Sequence, residues 1–120
     1  MKLIGSGLYV NNLEESINFY EEVLGFKLDM KCDAGNLNLA FLTKDSFKLE
    51  LLADKDKRVS SHIEDTMFRF AVESLDETIK FLENKGVKVH SGPFSPQPNI
   101  RFIFIKDPSG VLIQLAEEIK

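Results

Sequence analysis

Tryptophan is absent from this chain, cysteine occurs once, histidine twice and proline four times. A lone Cys32 excludes an internal disulfide and fits a reducing compartment. No apolar run reaches the length of a membrane-crossing helix. The opening stretch MKLIGSGLYV has neither the length nor the cleavage-site pattern of a signal peptide. Basic residues are also in deficit: 15 Lys and Arg stand against 19 Asp and Glu, a formal net charge of −4. With no basic stripe to release counterions, a nucleic-acid backbone is excluded as main partner. His62 sits in a polar stretch and His90 at the end of an apolar run, and neither has ligand spacing with a second histidine or with Cys32. A cytoplasmic protein that engages neither membrane nor nucleic acid is the expectation.

What remains is an ordinary globular balance, with 43% hydrophobic and 28% charged residues over 120 positions. That length suits one domain, residues 1–120, able to bury a sizeable core.

The chain repeats itself. LYVNNLEESINFYEEVLGF, from Leu8, slides onto FAVESLDETIKFLENKGV, from Phe70, so that Val10 falls on Val72, Leu13 on Leu75, Ser16 on Thr78, Ile17 on Ile79 and Phe19 on Phe81. Each copy opens with an alternating strand, over residues 2–10 and 66–72. A helix start follows, capped by Asn12 in the first copy and by Ser74 in the second, where Glu77 completes a capping box by reaching back. Gly25 and Gly86 stand where a helix ends on a left-handed residue. Three strand-like runs come next: 26–31, 37–43 and 47–52 in one copy, 87–90, 100–106 and 111–116 in the other. Residues 91–99, SGPFSPQPN, read as a loop because proline breaks a strand interior. The predicted organisation is α+β, a βαβββ module over residues 1–53, a linker over 54–65 and a second module over 66–120.

This doubled βαβββ pattern, the Val–Leu–Ser/Thr–Phe spacing of each module and the closing DPSGVLIQL resemble the vicinal oxygen chelate superfamily. That superfamily includes glyoxalase I, extradiol dioxygenases and bleomycin-resistance proteins. The resemblance implies two modules curling into an open eight-stranded, cup-shaped sheet, commonly within a homodimer. Its metalloenzymes hold one divalent cation through inward side chains, a histidine from the first strand and a carboxylate from the last strand of each module. Carried over by the repeat, those positions hold Gly5, Glu50, Met67 and Gln114. Only Glu50 is a good hard ligand; glycine offers no donor, a thioether suits soft metals and an amide oxygen is neutral. No metal and no other cofactor is expected.

Strand alternation assigns the inward face. It carries Gly5, Gly7 and Tyr9, then Lys48, Glu50 and Leu52, in the first module, and Met67, Arg69 and Ala71, then Leu112, Gln114 and Ala116, in the second. The opposite face is apolar throughout, with Leu8, Val10, Leu49 and Leu51 in one module and Phe68, Phe70, Ile113 and Leu115 in the other. Gly5 and Gly7 either relieve packing or widen the cup. Arg69 needs a partner: Glu50, in an ion pair that ties the modules, or a ligand carboxylate or phosphate. Phe41 is a further candidate for an apolar wall, while the facing of Arg101, Phe102, Ile103 and Phe104 stays open because that strand is apolar on both sides.

The functional expectation is a metal-free member that binds a small organic molecule through Tyr9, Lys48, Glu50, Met67, Arg69 and Gln114, like the bleomycin-resistance branch. The alternative is a metal-dependent glyoxalase-type lyase, isomerase or dioxygenase, with Glu50 as the one candidate catalytic group beside atypical ligands. A structural or regulatory dimer is the third class.

Overall fold

The computed structural model describes residues 1–56 and 63–118. His62 therefore lies outside the described residues, as does the middle of the linker. The chain divides into two compact units, Met1–Ser60 and Ser61–Lys120.

The first unit runs β1 (Gly5–Tyr9), α1 (Leu13–Glu22), β2 (Lys27–Ala34), β3 (Leu37–Lys44) and β4 (Phe47–Asp54). Its sheet has the order β1-β4-β3-β2, with β1 parallel to β4 and the remaining pairs antiparallel. The second unit runs β5 (Ile63–Ala71), α2 (Leu75–Asn84), β6 (Ser91–Gln97), β7 (Ile100–Lys106) and β8 (Val111–Glu118). Its order is β5-β8-β7-β6, with β5 parallel to β8. The internal repeat in sequence is thus a repeat in topology: two four-stranded sheets, each with one helix, in an α+β arrangement.

Both helices begin where the cap residues place them. Asn12 Oδ1 accepts from the Glu15 N–H at 3.0 Å, and Ser74 Oγ accepts from the Glu77 N–H at 3.2 Å. Such caps satisfy amides that have no partner inside the helix, each stabilising by about 1 kcal/mol. The second half of the capping box does not form; the Glu77 carboxylate instead lies 3.6 Å from Lys80 Nζ. Both helices end as expected, at Gly25 (φ +77°) and Gly86 (φ +73°), a backbone region that glycine enters without a Cβ clash.

The core of each unit lies between its helix and one face of its sheet. In the first, Leu8, Val10, Ala40, Leu42, Leu49 and Leu51 meet Ile17 and Tyr20 of α1. Tyr20 is fully buried, and its ring packs edge-on against Phe19 and Phe26 with centroids 5.6 Å away in both cases. In the second, Ile103, Ile105, Ile113 and Leu115 lie under α2, which contributes Leu75 and Leu82. Each such aliphatic side chain contributes about 1.5–3 kcal/mol on leaving water. The strand alternation read from the sequence is the observed one.

The second unit corrects one strand assignment. Residues 87–90 are not a strand, and the stretch expected to be a loop supplies β6 over Ser91–Gln97. Its position explains why prolines are accepted: β6 is the outer strand of the sheet and pairs with β7 only at Ser91↔Phe104, Phe94↔Phe102 and Gln97↔Ile100, with register shifts between. A proline lacks an N–H, which costs little where the amide would face away from the ladder. The linker is also shorter than its predicted span, since β5 already begins at Ile63.

Candidate functional site

Each sheet turns its second face away from its helix, and the predicted site residues lie on these open faces. In the first unit the parallel register sets Gly5 opposite Lys48, Gly7 opposite Glu50 and Tyr9 opposite Leu52. Phe41 flanks Glu50 from the other side, in β3. Tyr9 and Lys48 are exposed and Glu50 is half-buried. The structure therefore groups Gly5, Gly7, Tyr9, Lys48, Glu50 and Phe41 on one surface.

The two glycines have different causes. A β-carbon on Gly5 would come within 2.2 Å of the Lys48 carbonyl oxygen, so no side chain fits there without backbone movement. One on Gly7 would meet Leu52 Cδ1 at 3.5 Å and Glu50 Oε1 at 3.7 Å, ordinary contact distances. Gly5 answers a close backbone approach, whereas Gly7 leaves space beside a carboxylate.

In the second unit the register sets Met67 opposite Leu112, Arg69 opposite Gln114 and Ala71 opposite Ala116. Met67 and Arg69 are exposed, while Gln114 keeps only 7% of its surface. Arg69 Nε donates to Gln114 Oε1 at 2.7 Å. The partner given to Arg69 is thus a neighbour on its own sheet. The two units share this register, with Arg69 opposite Gln114 in the second as Gly7 is opposite Glu50 in the first.

The open facing of β7 is now resolved. Phe104 sits opposite Gln114 and Phe102 opposite Ala116, so both rings share the face of Arg69. Ile103 is buried beneath the helix with Leu115, and Arg101 turns to that same side, with Nη2 3.4 Å from Asp76 Oδ1 at the start of α2. Phe94, from the stretch expected to be a loop, joins the two phenylalanines with ring centroids 5.6 Å from Phe102 and 6.2 Å from Phe104. Sequence pattern does not reveal this aromatic group, because Pro93 and Pro96 disguise the strand that carries Phe94. His90 is exposed, and its backbone N–H donates to the Phe104 carbonyl at 2.7 Å.

As a set of metal ligands these positions are poor. Gly5 has neither donor nor room for one. Gln114 offers a neutral oxygen that already accepts from a guanidinium, whose charge would repel a dication drawn to the same oxygen. Catalytic zinc sites use three protein ligands. Among the described residues, no three His, Cys, Asp or Glu side chains stand together as such a site requires.

Comparison with known proteins places this geometry. A family model described as the Glyoxalase/Bleomycin resistance protein/Dioxygenase superfamily matches residues 4–115. The lactoylglutathione lyase of Neisseria meningitidis serogroup A is 31% identical over 128 residues, covering 98% of this chain and 91% of its own length. YraH of Bacillus subtilis strain 168 is 26% identical over 125 residues, covering 96% and 97%. Among solved structures, the trypanothione-dependent glyoxalase I of Leishmania major superposes with a TM-score of 0.80 at 26% identity, covering 98% of this chain and 87% of that one. By a match that spans nearly all of its length, and with the doubled βαβββ topology to support it, the chain belongs to the glyoxalase, bleomycin-resistance and dioxygenase superfamily.

Proposed function

We propose that this chain is a metal-free member of its superfamily that binds a small organic molecule on the open faces of its sheets. Tyr9, Lys48, Glu50, Met67, Arg69 and Gln114 are the proposed ligand contacts. One observation carries the reading. At the position where the superfamily's metalloenzymes place a carboxylate, Gln114 presents an amide whose oxygen takes an arginine N–H at 2.7 Å. A site arranged in this way favours anions and neutral polar groups over a hydrated dication. The proposed setting is a cytoplasmic homodimer.

The competing reading is a metal-dependent lyase, isomerase or dioxygenase that uses Glu50 with atypical ligands. The 31% identity to a lactoylglutathione lyase favours it. Elemental analysis of protein purified without chelator separates the two. No stoichiometric transition metal is expected; one that is lost together with activity in Glu50→Ala would overturn the binding reading. A thermal-shift screen of small metabolites then tests binding itself. A ligand held only by the native state, at about 100 times its dissociation constant, stabilises by about 2.7 kcal/mol.

A further inference from the structure

Resting on that binding reading, we infer that the open face of the second sheet takes a planar aromatic monocarboxylate. Two register rows build the site. Arg69, Gln114 and Phe104 form one across β5, β8 and β7, and Ala71, Ala116, Phe102 and Phe94 form the next across β5 to β6.

The polar end consists of donors. Arg69 spends Nε on Gln114, and among the described residues neither its terminal nitrogens nor the Gln114 Nε2 has a partner. Gln114 is more than nine-tenths buried as a residue, while its amide nitrogen keeps contact with solvent and stands as a donor on this face. A carboxylate supplies what is missing, with acceptor oxygens for the arginine fork and for the amide together.

The apolar end follows from side-chain size. Ala71 and Ala116 bring little side-chain bulk to the row that Phe102 shares, and the hollow beside them is lined by Arg69, Phe70, Ile100 and the carboxylates of Glu117 and Glu118, of which Glu117 accepts from the Leu75 N–H at 2.8 Å. Strands lie about 4.8 Å apart, so the floor from β5 to β7 accommodates a single aromatic ring with its carboxylate at Arg69. Phe102 and Phe104 pack edge to face at 82° with centroids 5.6 Å apart, and offer a ring both an edge and a face. Glu118 shares the Ala116 side of β8 and lies at the far end of the hollow. Its carboxylate repels a second negative charge on the ligand and accepts from a hydroxyl at that position. The preferred ligand therefore carries one carboxylate, and a donor opposite it is welcome.

Calorimetric titration of the full chain with 4-hydroxybenzoate, benzamide, terephthalate and hexanoate tests this. 4-Hydroxybenzoate is expected to bind tighter than each of the other three. Arg69→Ala is expected to weaken it by about tenfold or more, the loss of a charged hydrogen bond. Glu118→Gln is expected to narrow the gap between 4-hydroxybenzoate and terephthalate. Arg69 and Glu118 are both exposed, so these variants fold, and circular dichroism verifies it. Equal affinity for hexanoate overturns the aromatic class, and unchanged affinity in Arg69→Ala overturns the site. If other metabolites shift the melting temperature but no benzoate binds, this ligand class falls while the binding reading stands. Stoichiometric transition metal in the purified protein would instead bring down the reading beneath.

Discussion

Gly5 and Lys48 face each other across the parallel β1–β4 pair so closely that a β-carbon on Gly5 would stand 2.2 Å from the Lys48 carbonyl oxygen. The resemblance to the superfamily's metalloenzymes implies a metal-binding histidine at this position. Here the backbone itself has closed over it. Gly5→Ala should cost about 1–3 kcal/mol, the usual penalty of overpacking, as read from the midpoint of urea unfolding. Gly5→His should cost no less and should bring no metal with it. A Gly5→Ala midpoint equal to that of the parent would show that the approach is looser than described.

Gln114→Glu tests the electrostatic side of the same question. A glutamate there gains a full charge directly against Arg69 Nε, where the glutamine oxygen already sits at 2.7 Å. The variant should fold normally, and Zn²⁺ titration by calorimetry should detect no tight site, since the new carboxylate is engaged and Gly5 and Met67 are unchanged. Tight stoichiometric Zn²⁺ binding by Gln114→Glu alone would mean that charge at this one position was the whole deficit.

The closing turn gives a stability prediction. Asp107 is buried, and its Oδ1 accepts from the N–H groups of Ser109 and Val111, both at 2.8 Å, so that one oxygen fixes the turn between β7 and β8. Removing it in Asp107→Ala strands two amides, at a cost of about 1–3 kcal/mol for each one left without water or a substitute. Asp107→Asn retains an acceptor oxygen and should lose less than half as much. Equal losses in the two variants, measured by urea unfolding, would place the effect in charge and not in these hydrogen bonds.

Ser16 and Thr78 occupy equivalent places in the two helices but are treated differently. Thr78 Oγ1 donates to the Ser74 carbonyl at 2.8 Å, whereas the Ser16 hydroxyl is fully buried and has no partner among the described residues. Ser16→Ala removes an unsatisfied polar group and raises helix propensity, so it should stabilise by about 0.5–1 kcal/mol. A loss of stability in Ser16→Ala would reveal a partner for that hydroxyl in solution.

Much of this was legible from residue order. The alternation in β1, β4, β5 and β8 has one strictly apolar face, and a slip by one residue would have buried Arg69 and Glu50 under helices, so register followed from pattern alone. Helix starts followed from Asn12 and Ser74, because a side-chain cap acts locally. The strand of Ser91–Gln97 was not legible: its prolines argue against a ladder, and only its place at the sheet margin makes them tolerable. The facing of β7 was hidden for another reason. Phe102 and Phe104 are as apolar as Ile103 and Ile105, so composition carries no sign of which pair meets the helix, and only pairing with β8 decides it. The Arg69–Gln114 bond needed the same pairing, which sequence periodicity sets within a strand and not between strands.

The two prolines of β6 have an effect beyond local pairing. An outermost strand with a full set of outward amides is a template on which a foreign strand can add, and growth of that kind leads to aggregates. Pro93 and Pro96 delete donors from this margin, and its irregular pairing with β7 keeps the remaining amides from forming a continuous row. The second sheet thereby ends in a strand whose irregular, donor-poor margin resists the addition of a further strand.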